Sequence, residues 1–450
     1  MTQSYCIVGG GISGLTAAYR LRLAAGDEAS ITLFDPGDRL GGVLRTEQVG
    51  GQPMDLGAEA FLLRRPEMPA LLAELGLAGH QRVSVGNRPL LYSEQTVHPL
   101  PAGTVAGIPS SSASMAGLVD EATCARIHAE PERPLDWQPG SDPSVAALVG
   151  DRFGEQVVAR SVDPLLMGVY SGSAATIGLR AAAPTIAAAL DRGATSLTDA
   201  VRRSLPPATG APVFGALQGG YQVLIDELVA RSRLRWVRAA VTRLDRGPSG
   251  WALIDDTGAR WSADAVVVAV PAGPAASLVR AVAPDAAAAA SRITSASSAV
   301  VGLAVPADTP FPECSGVLVA SGEPLRAKAI TLSSRKWGVG GDTQLVRLSF
   351  GRYGDDIAAR TSDADLVAWA VDDLAAVFGL TVEPVDARVQ RWIDAMPQYG
   401  PGHAGLVAEL RAGLPPTLAV AGSYLDGIGV PACIGAATAA ATHVAGSVAP

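Results

Sequence analysis

Lysine is nearly missing from this chain. Of its 35 basic residues only Lys328 and Lys336 are lysines, so almost every positive charge is a guanidinium, which stays ionised and meets carboxylates through paired N–H groups. Aromatic residues are sparse at 5%, and the four cysteines, Cys6, Cys124, Cys314 and Cys433, stand far apart. That spacing supplies no metal-ligand pair and reads as buried thiols in a reducing compartment, with no metal expected. Long apolar runs are absent as well. Spanning a bilayer takes ~20 apolar residues, whereas "AVVVAVPAG" is stopped by proline and glycine and the apolar tail carries Asp426. No transmembrane segment is expected, and a peripheral membrane contact stays open. The start, "MTQSYC", has no basic stretch, apolar run and cleavage site of a secretory signal, which makes the cytoplasm the expected compartment. With 43 acidic residues and a net charge of -8, nucleic acid is not expected as a partner. The five histidines, at 80, 98, 128, 403 and 443, join no Ser/His/Asp or Cys/His arrangement.

What the chain does have is glycine in the right places. In "YCIVGGGISGLTAAYRLRLAAGDEASITLFD", residues 5–35, an apolar strand runs into glycines and then directly into a helix. Gly9, Gly11 and Gly14 form G-x-G-x-x-G: the first allows a sharp turn, the second a close approach to a pyrophosphate, and the third helix packing on the strand. The helix N-terminus offers N–H groups to an anion. Asp35 closes the second strand 21 residues after Gly14 (35 minus 14), where an acid accepts hydrogen bonds from a ribose. A dinucleotide site is therefore expected at Gly9, Gly10, Gly11, Ile12, Ser13, Gly14 and Asp35. Ile12, Leu15, Tyr19 and Leu23 are expected on the packed face of the helix, which should stop near Gly26.

A chain of 450 residues exceeds one nucleotide domain and suggests two or three. Residues 101–143 are rich in Pro, Ser and Gly and read as loops with short helices, and 144–205 read as helical. "DAVVVAVP" reads as a strand buried on both faces. "SAVVGLAVP" and "QLVRLSFGR" read as strands, "DADLVAWAVDDLAAVFGL" as a helix, and "PDAAAAAS" as a single uninformative helical turn. No internal repeat is present.

Three further stretches carry a resemblance. "DRLGGVLRT" places Arg39, Gly41, Gly42 and Val43 just beyond the ribose acid, and "DLGAEAF" brings Gly57, Ala58, Glu59 and Ala60 back to the same edge. "AGSYLDGIGVPACIGAA" sets Gly422, Gly427 and Gly429 before the last helix. With the first glycines, these are similar to the superfamily of flavin amine oxidases and porphyrinogen oxidases, and imply FAD. The resemblance implies that Ile428, Gly429 and Val430 bring N–H groups to the pyrimidine edge of the flavin, that the Val241 backbone touches the adenine, and that Trp392 lines the flavin. It also implies an α/β fold: a discontinuous Rossmann-like FAD-binding domain (1–88, 214–273 and 415–450), an α+β substrate domain (89–103 and 274–414) and a helical subdomain (104–213).

Within that superfamily "VDPLLMGVYSGS", "AKAITLSSRKWG" and "RWIDAMPQYGPGH" resemble the coproporphyrinogen III and protoporphyrinogen oxidase family of actinobacterial type, over essentially the whole chain. That family removes hydride from a bridging methylene to the flavin and a proton from a pyrrole nitrogen, then passes electrons to dioxygen with release of hydrogen peroxide. Such chemistry explains why no catalytic acid–base side chain stands out. Arg64 or Arg65 is implied to pair with a substrate propionate, Arg64 being favoured. Gly168 is implied to let the backbone approach the macrocycle, with Tyr399 and His403 as weaker substrate candidates. The tetra-acid coproporphyrinogen III is the expected substrate and protoporphyrinogen IX the near alternative, with a ferrochelatase as the downstream partner. A flavin amine oxidase or desaturase, and a flavoprotein without catalysis, are the competing readings.

Overall fold

A computed structural model describes residues 3–207, 210–248 and 250–448. Its centre is a five-stranded, all-parallel sheet. The strands run in the order Arg235–Val237, Ser30–Phe34, Ser4–Val8, Ala265–Val268, Leu418–Val420. Neighbours in space thus come from both ends and the middle of the chain. Ala265–Val268 is buried at every position, as a strand covered on both faces must be. One face packs on the helices Ile12–Ala25, Gln222–Ser232 and Val430–Val448. The other packs on an antiparallel three-stranded meander, Val241–Gly247, Gly250–Asp255 and Arg260–Ala263, and on the helices Ala272–Val279, Pro284–Ser291 and His403–Ala412.

Two local expectations need correction. Leu23 is 58% exposed although it lies only about 20° round the axis from Ile12; the helix is enclosed on nearly every side as far as Arg22, so Leu21, on the side opposite Ile12, is buried as well. "PDAAAAAS" forms the whole eight-residue helix Pro284–Ser291 with Ala286, Ala287, Ala289 and Ala290 buried. Its small side chains let Gly413 come so close that a Cβ there would lie 2.8 Å from the Ala286 nitrogen. Of the cysteines, three are buried and Cys124 is half-buried, and all four are free thiols.

The second sheet has seven strands, in the order Asp386–Pro397, Ser295–Pro306, Thr343–Phe350, Ala329–Thr331, Gly316–Val319, Leu90–Ser93, Thr96–Pro99. Its pairs are antiparallel except Gly316–Val319 with Leu90–Ser93. Alternation sorts its side chains. Val301, Leu303, Val346, Leu348 and Phe350 point outward to the helix Asp363–Phe378, whose start is capped by the Ser362 hydroxyl on the Asp365 N–H at 3.1 Å. The inner face has an apolar patch where Val300, Ala304 and Leu345 meet the hairpin residues Val49, Met54 and Leu56. Beyond that patch it carries Ala329, Thr331, Arg347 and Ser349, all half-buried.

Between residues 104 and 205 the chain is mostly helical and has its own core around Val149, Phe153, Leu166, Ile186 and Val201. The helices Glu121–Ala129, Val145–Phe153 and Leu197–Ser204 begin with Asp120, Ser144 and Ser196, each side chain accepting the N–H three residues on, which satisfies a donor the helix cannot. The fully enclosed Glu130 holds this region together, accepting from Arg152 Nε at 2.8 Å and from the Leu197 and Thr198 N–H groups at 2.8 and 3.1 Å. Among the described residues no helix is long and apolar enough to cross a membrane.

Candidate functional site

The strand Ser4–Val8 ends against the first helix through glycines that do different jobs. Gly9 has φ 109°, and a Cβ there would sit 2.5 Å from the Ala269 oxygen; a Cβ on Gly14 would sit 1.9 Å from the Gly9 oxygen. Both positions are closed to any larger residue by the protein itself. At Gly11, in contrast, φ is -72° and ψ -179°, open to every residue, and a Cβ would meet only the Gly42 Cα at 3.9 Å. Packing does not demand glycine there, so the bare backbone is kept for something outside the protein. The helix Ile12–Ala25 that follows has no side-chain cap and no acid in its first turn, which leaves its positive end open to an anion.

Asp35 stands beside this turn. Its carboxylate accepts the Gly10 N–H at 2.7 Å and the Gly37 N–H at 2.9 Å, and a carboxylate has about four acceptor positions, so two remain for ribose hydroxyls. Arg39 lies across the loop, donating to the Leu44 and Gly42 oxygens at 2.8 and 2.7 Å. It forms no ion pair with any described residue, so its charge is available to a diphosphate. Gly41 and Gly42, at φ 113° and 56°, fold this loop back onto the first, with Gly41 N–H donating to the Gly10 oxygen at 2.8 Å. Val241 opens the meander beside this edge, paired with Asp255.

"DLGAEAF" lies between the two sheets. A Cβ on Gly57 would lie 1.7 Å from the Val43 oxygen and 3.2 Å from the Trp392 ring, and Trp392 Nε1 donates to the Leu56 oxygen at 2.8 Å. Ala58, Glu59 and Ala60 keep partial exposure although Leu56, Gly57 and Phe61 around them are buried. Glu59 accepts from Ser333 Oγ at 2.7 Å, Lys336 Nζ at 2.7 Å and Trp337 Nε1 at 3.2 Å. Burial opposes its ionisation, but Lys336, Arg347 and these hydrogen bonds outweigh that and bring its pKa down to about 2. Asp55 goes the other way: burial lifts it to about 7 against hydrogen bonds from Thr46 and the Tyr221 N–H. With Thr46, whose Oγ1 accepts the Gln222 N–H at 3.1 Å, it caps the helix Gln222–Ser232. Arg347 reaches from the inner sheet face to donate to the Gly57 oxygen at 2.6 Å, and its buried Nε has no partner.

At the far end of the chain, Tyr399 is buried and its hydroxyl is used twice, donating to the Ser423 oxygen at 2.5 Å and accepting the Gly427 N–H at 3.0 Å. It stacks on His403 at 3.9 Å. Tyr399 thus braces the turn that contains Gly422 and presents no free hydroxyl to a substrate. The N–H groups of Ile428, Gly429 and Val430 donate to no described residue, and the helix Val430–Val448 starts there, giving a second helix end with open donors. Cys433 is buried in its first turn, and burial raises its pKa to about 11, the state of an inert thiol.

The two arginines proposed for substrate differ. Arg65 is paired with Glu67 at 2.6 Å, while Arg64 is exposed and makes no hydrogen bond or ion pair with the described residues. Gly168 and Val169 are exposed on the helix Asp163–Tyr170. A Cβ on Gly168 would make only ordinary contact with Leu318, at 3.6 Å, so here too the neighbours do not require glycine. Sequence reasoning passed over Ser333, Lys336 and Arg347. A charged residue inside the otherwise alternating strand "QLVRLSF" was the available signal for the last of them.

Two glycine-lined helix ends, a ribose-accepting acid and an unpaired arginine fit a dinucleotide laid along the parallel sheet toward "DLGAEAF". The chain belongs to the flavin containing amine oxidoreductase family, whose pattern matches residues 12–445, and FAD is the cofactor that family implies. It is 74% identical to the coproporphyrinogen III oxidase of Mycobacterium leprae (strain TN) over 97% of both chains, and 28% identical to the coproporphyrinogen III oxidase of Bacillus subtilis (strain 168) over 95% of both. Its fold is similar to the crystal structure of a protein from Exiguobacterium sp. 255-15, with a TM-score of 0.88, 26% identity and 99% of each chain covered.

Proposed function

We propose that the protein oxidises coproporphyrinogen III to coproporphyrin III in haem biosynthesis, in the cytoplasm, with dioxygen as acceptor and hydrogen peroxide as second product. The observation that carries this reading is the 74% identity to the M. leprae coproporphyrinogen III oxidase over 97% of both chains. When bound, FAD supplies the acceptor for hydride leaving a bridging methylene of the macrocycle, and aromatisation of the ring system drives the sum. The chain's own work is to bind, orient and shield.

Gly9 to Gly14, Asp35, Arg39, Gly41, Gly42 and Val43 would hold the diphosphate and ribose, Val241 the adenine, and Gly57 to Ala60, Trp392, Gly422 and Ile428 to Val430 the ring. The open N–H groups at Ile428 to Val430 would favour negative charge on the pyrimidine edge. Arg64, without a partner among the described residues, would take a propionate, and the exposed Gly168 would let the macrocycle lie against the helix backbone. Tyr399 serves this arrangement by fixing the closing turn. Free thiols at all four cysteines agree with a reducing compartment. A ferrochelatase is the partner expected to consume the product.

Steady-state turnover of coproporphyrinogen III by three proteins tests the arginine assignment. A charge-assisted hydrogen bond contributes roughly 1.5–3 kcal/mol, so Arg64→Ala should raise KM by about ten-fold or more with kcat largely kept. Arg65→Ala should change KM little, since its guanidinium already has Glu67. Equal constants for all three proteins would remove Arg64 from the substrate site.

A further inference from the structure

Lys328, Arg352 and Arg347 lie close enough for the two guanidinium groups to weigh on the buried ammonium, and none of the three forms an ion pair with a carboxylate among the described residues, although Glu59 and Asp55 act on Arg347 at longer range. Lys328 is 3% exposed and donates to Ser171 Oγ at 2.5 Å and to the Gly351 oxygen at 2.6 Å. Arg352, five residues beyond Arg347, is half-buried. Its Nε donates only to the thioether sulfur of Met167 at 3.2 Å, a weak acceptor, and its four Nη donors have no partner among the described residues. Asp355 is the acid that pulls on Lys328, and it is held in its own turn, one oxygen accepting the Arg352 N–H at 2.7 Å and the other the Ile357 N–H at 3.3 Å, without an ion pair to the Arg352 guanidinium among the described residues. Burial first, then Arg352 and Arg347, push Lys328 down to about 7, against the pull of Asp355.

This arrangement sits where the inner sheet face meets the helix Asp163–Tyr170. Met167, which the guanidinium touches, precedes the exposed Gly168, and Leu318 of the sheet faces Gly168 at 3.6 Å from where its Cβ would be. Holding positive charge together without an acid is costly, and in a chain of net charge -8 acids are not scarce. The Nη donors of Arg352 have no partner among the described residues, so the fork is available for bidentate capture of a carboxylate.

We infer that Arg352, backed by Lys328, is a second carboxylate subsite, distinct from Arg64, that takes another propionate of the porphyrinogen. The inference rests on the reading of the substrate as a porphyrinogen with several propionates.

The test uses FAD-loaded wild-type protein, Arg352→Gln and Arg352→Lys, with tight binding of coproporphyrin III and of its tetramethyl ester read by fluorescence quenching. KM for coproporphyrinogen III is measured beside it. Expected are an approximately ten-fold or greater loss of coproporphyrin III affinity and a matching rise in KM for Arg352→Gln, a smaller loss for Arg352→Lys, and equal ester binding by all three. Unchanged acid binding in both variants would overturn the subsite, as would equal loss of acid and ester, which marks a structural role. Should Arg352→Gln not fold, Arg352→Lys decides alone, because lysine keeps the charge and loses the fork. Absence of porphyrinogen turnover by the wild type would instead defeat the parent reading.

Discussion

Gly11→Val is expected to give a folded, colourless protein. Its φ of -72° and ψ of -179° suit valine, and the position offers 3.9 Å to the nearest protein atom, so the fold has nothing to lose. The branched side chain instead occupies the space at the start of the helix Ile12–Ala25, where a pyrophosphate has to approach the backbone. FAD affinity should fall at least about 100-fold, or about 2.8 kcal/mol, while the thermal midpoint of the FAD-free protein stays near that of FAD-free wild type. Gly14→Ala is the contrast: its Cβ would lie 1.9 Å from the Gly9 oxygen, so it should lower stability with or without cofactor. The check is flavin absorbance per protein after reconstitution, alongside apo-protein melting. A yellow Gly11→Val with wild-type flavin content would show that the cofactor lies elsewhere.

The second large effect is expected at Glu59. Removing this acid leaves Lys336 without its ion pair and Arg347 without the negative charge that offsets its burial. Breaking a fully buried pair costs roughly 3–5 kcal/mol; with both partners here still partly exposed, Glu59→Ala should cost less than that and still lower the denaturant midpoint. The pH dependence has a definite sign. Glu59 is held at about 2, below the ordinary value of 4.5, so its contribution is complete above the ordinary carboxylate range and is lost as the pH falls toward about 2. Wild type should therefore lose stability relative to Glu59→Ala on acidification, the two curves converging at low pH. Parallel curves would mean that Glu59 titrates in the folded protein as it does in the unfolded chain, without the help of Lys336 and Arg347.

The glycine turn proposed to hold the cofactor was legible because its motif is local. Gly14 is forced from within the turn by the Gly9 oxygen, while Gly9 is closed by the distant Ala269 and Gly57 by Val43, yet the G-x-G-x-x-G spacing between strand and helix and the acid at the end of the next strand can be read without those partners. The packed face of the first helix was harder. Flanking helices enclose that helix on nearly every side as far as Arg22, so Leu21 is buried opposite Ile12 while Leu23, on the expected stripe but past that enclosed length, is exposed, an outcome that periodicity alone does not give. The quartet of Asp55, Glu59, Lys336 and Arg347 was out of reach for another reason. Its members are separated by up to 292 residues (347 minus 55), and no local pattern says that a strand of one sheet will lay a guanidinium on a carbonyl of the loop from the other. Arg64 and Arg65 look alike in sequence; Glu67, two residues on, distinguishes them only once the side chains are placed. Tyr399 stood out for its surroundings, but its hydroxyl turned out to serve the 423–427 turn.

Aerobic turnover of the FAD-loaded wild type on coproporphyrinogen III and on protoporphyrinogen IX, with porphyrin fluorescence and peroxide followed together, bears most directly on the central claim. The account predicts coproporphyrin III formation with three peroxides released per porphyrin, and a higher kcat/KM on the tetra-acid than on the di-acid. Turnover of neither, porphyrin formation without peroxide, or a preference for protoporphyrinogen IX would contradict it.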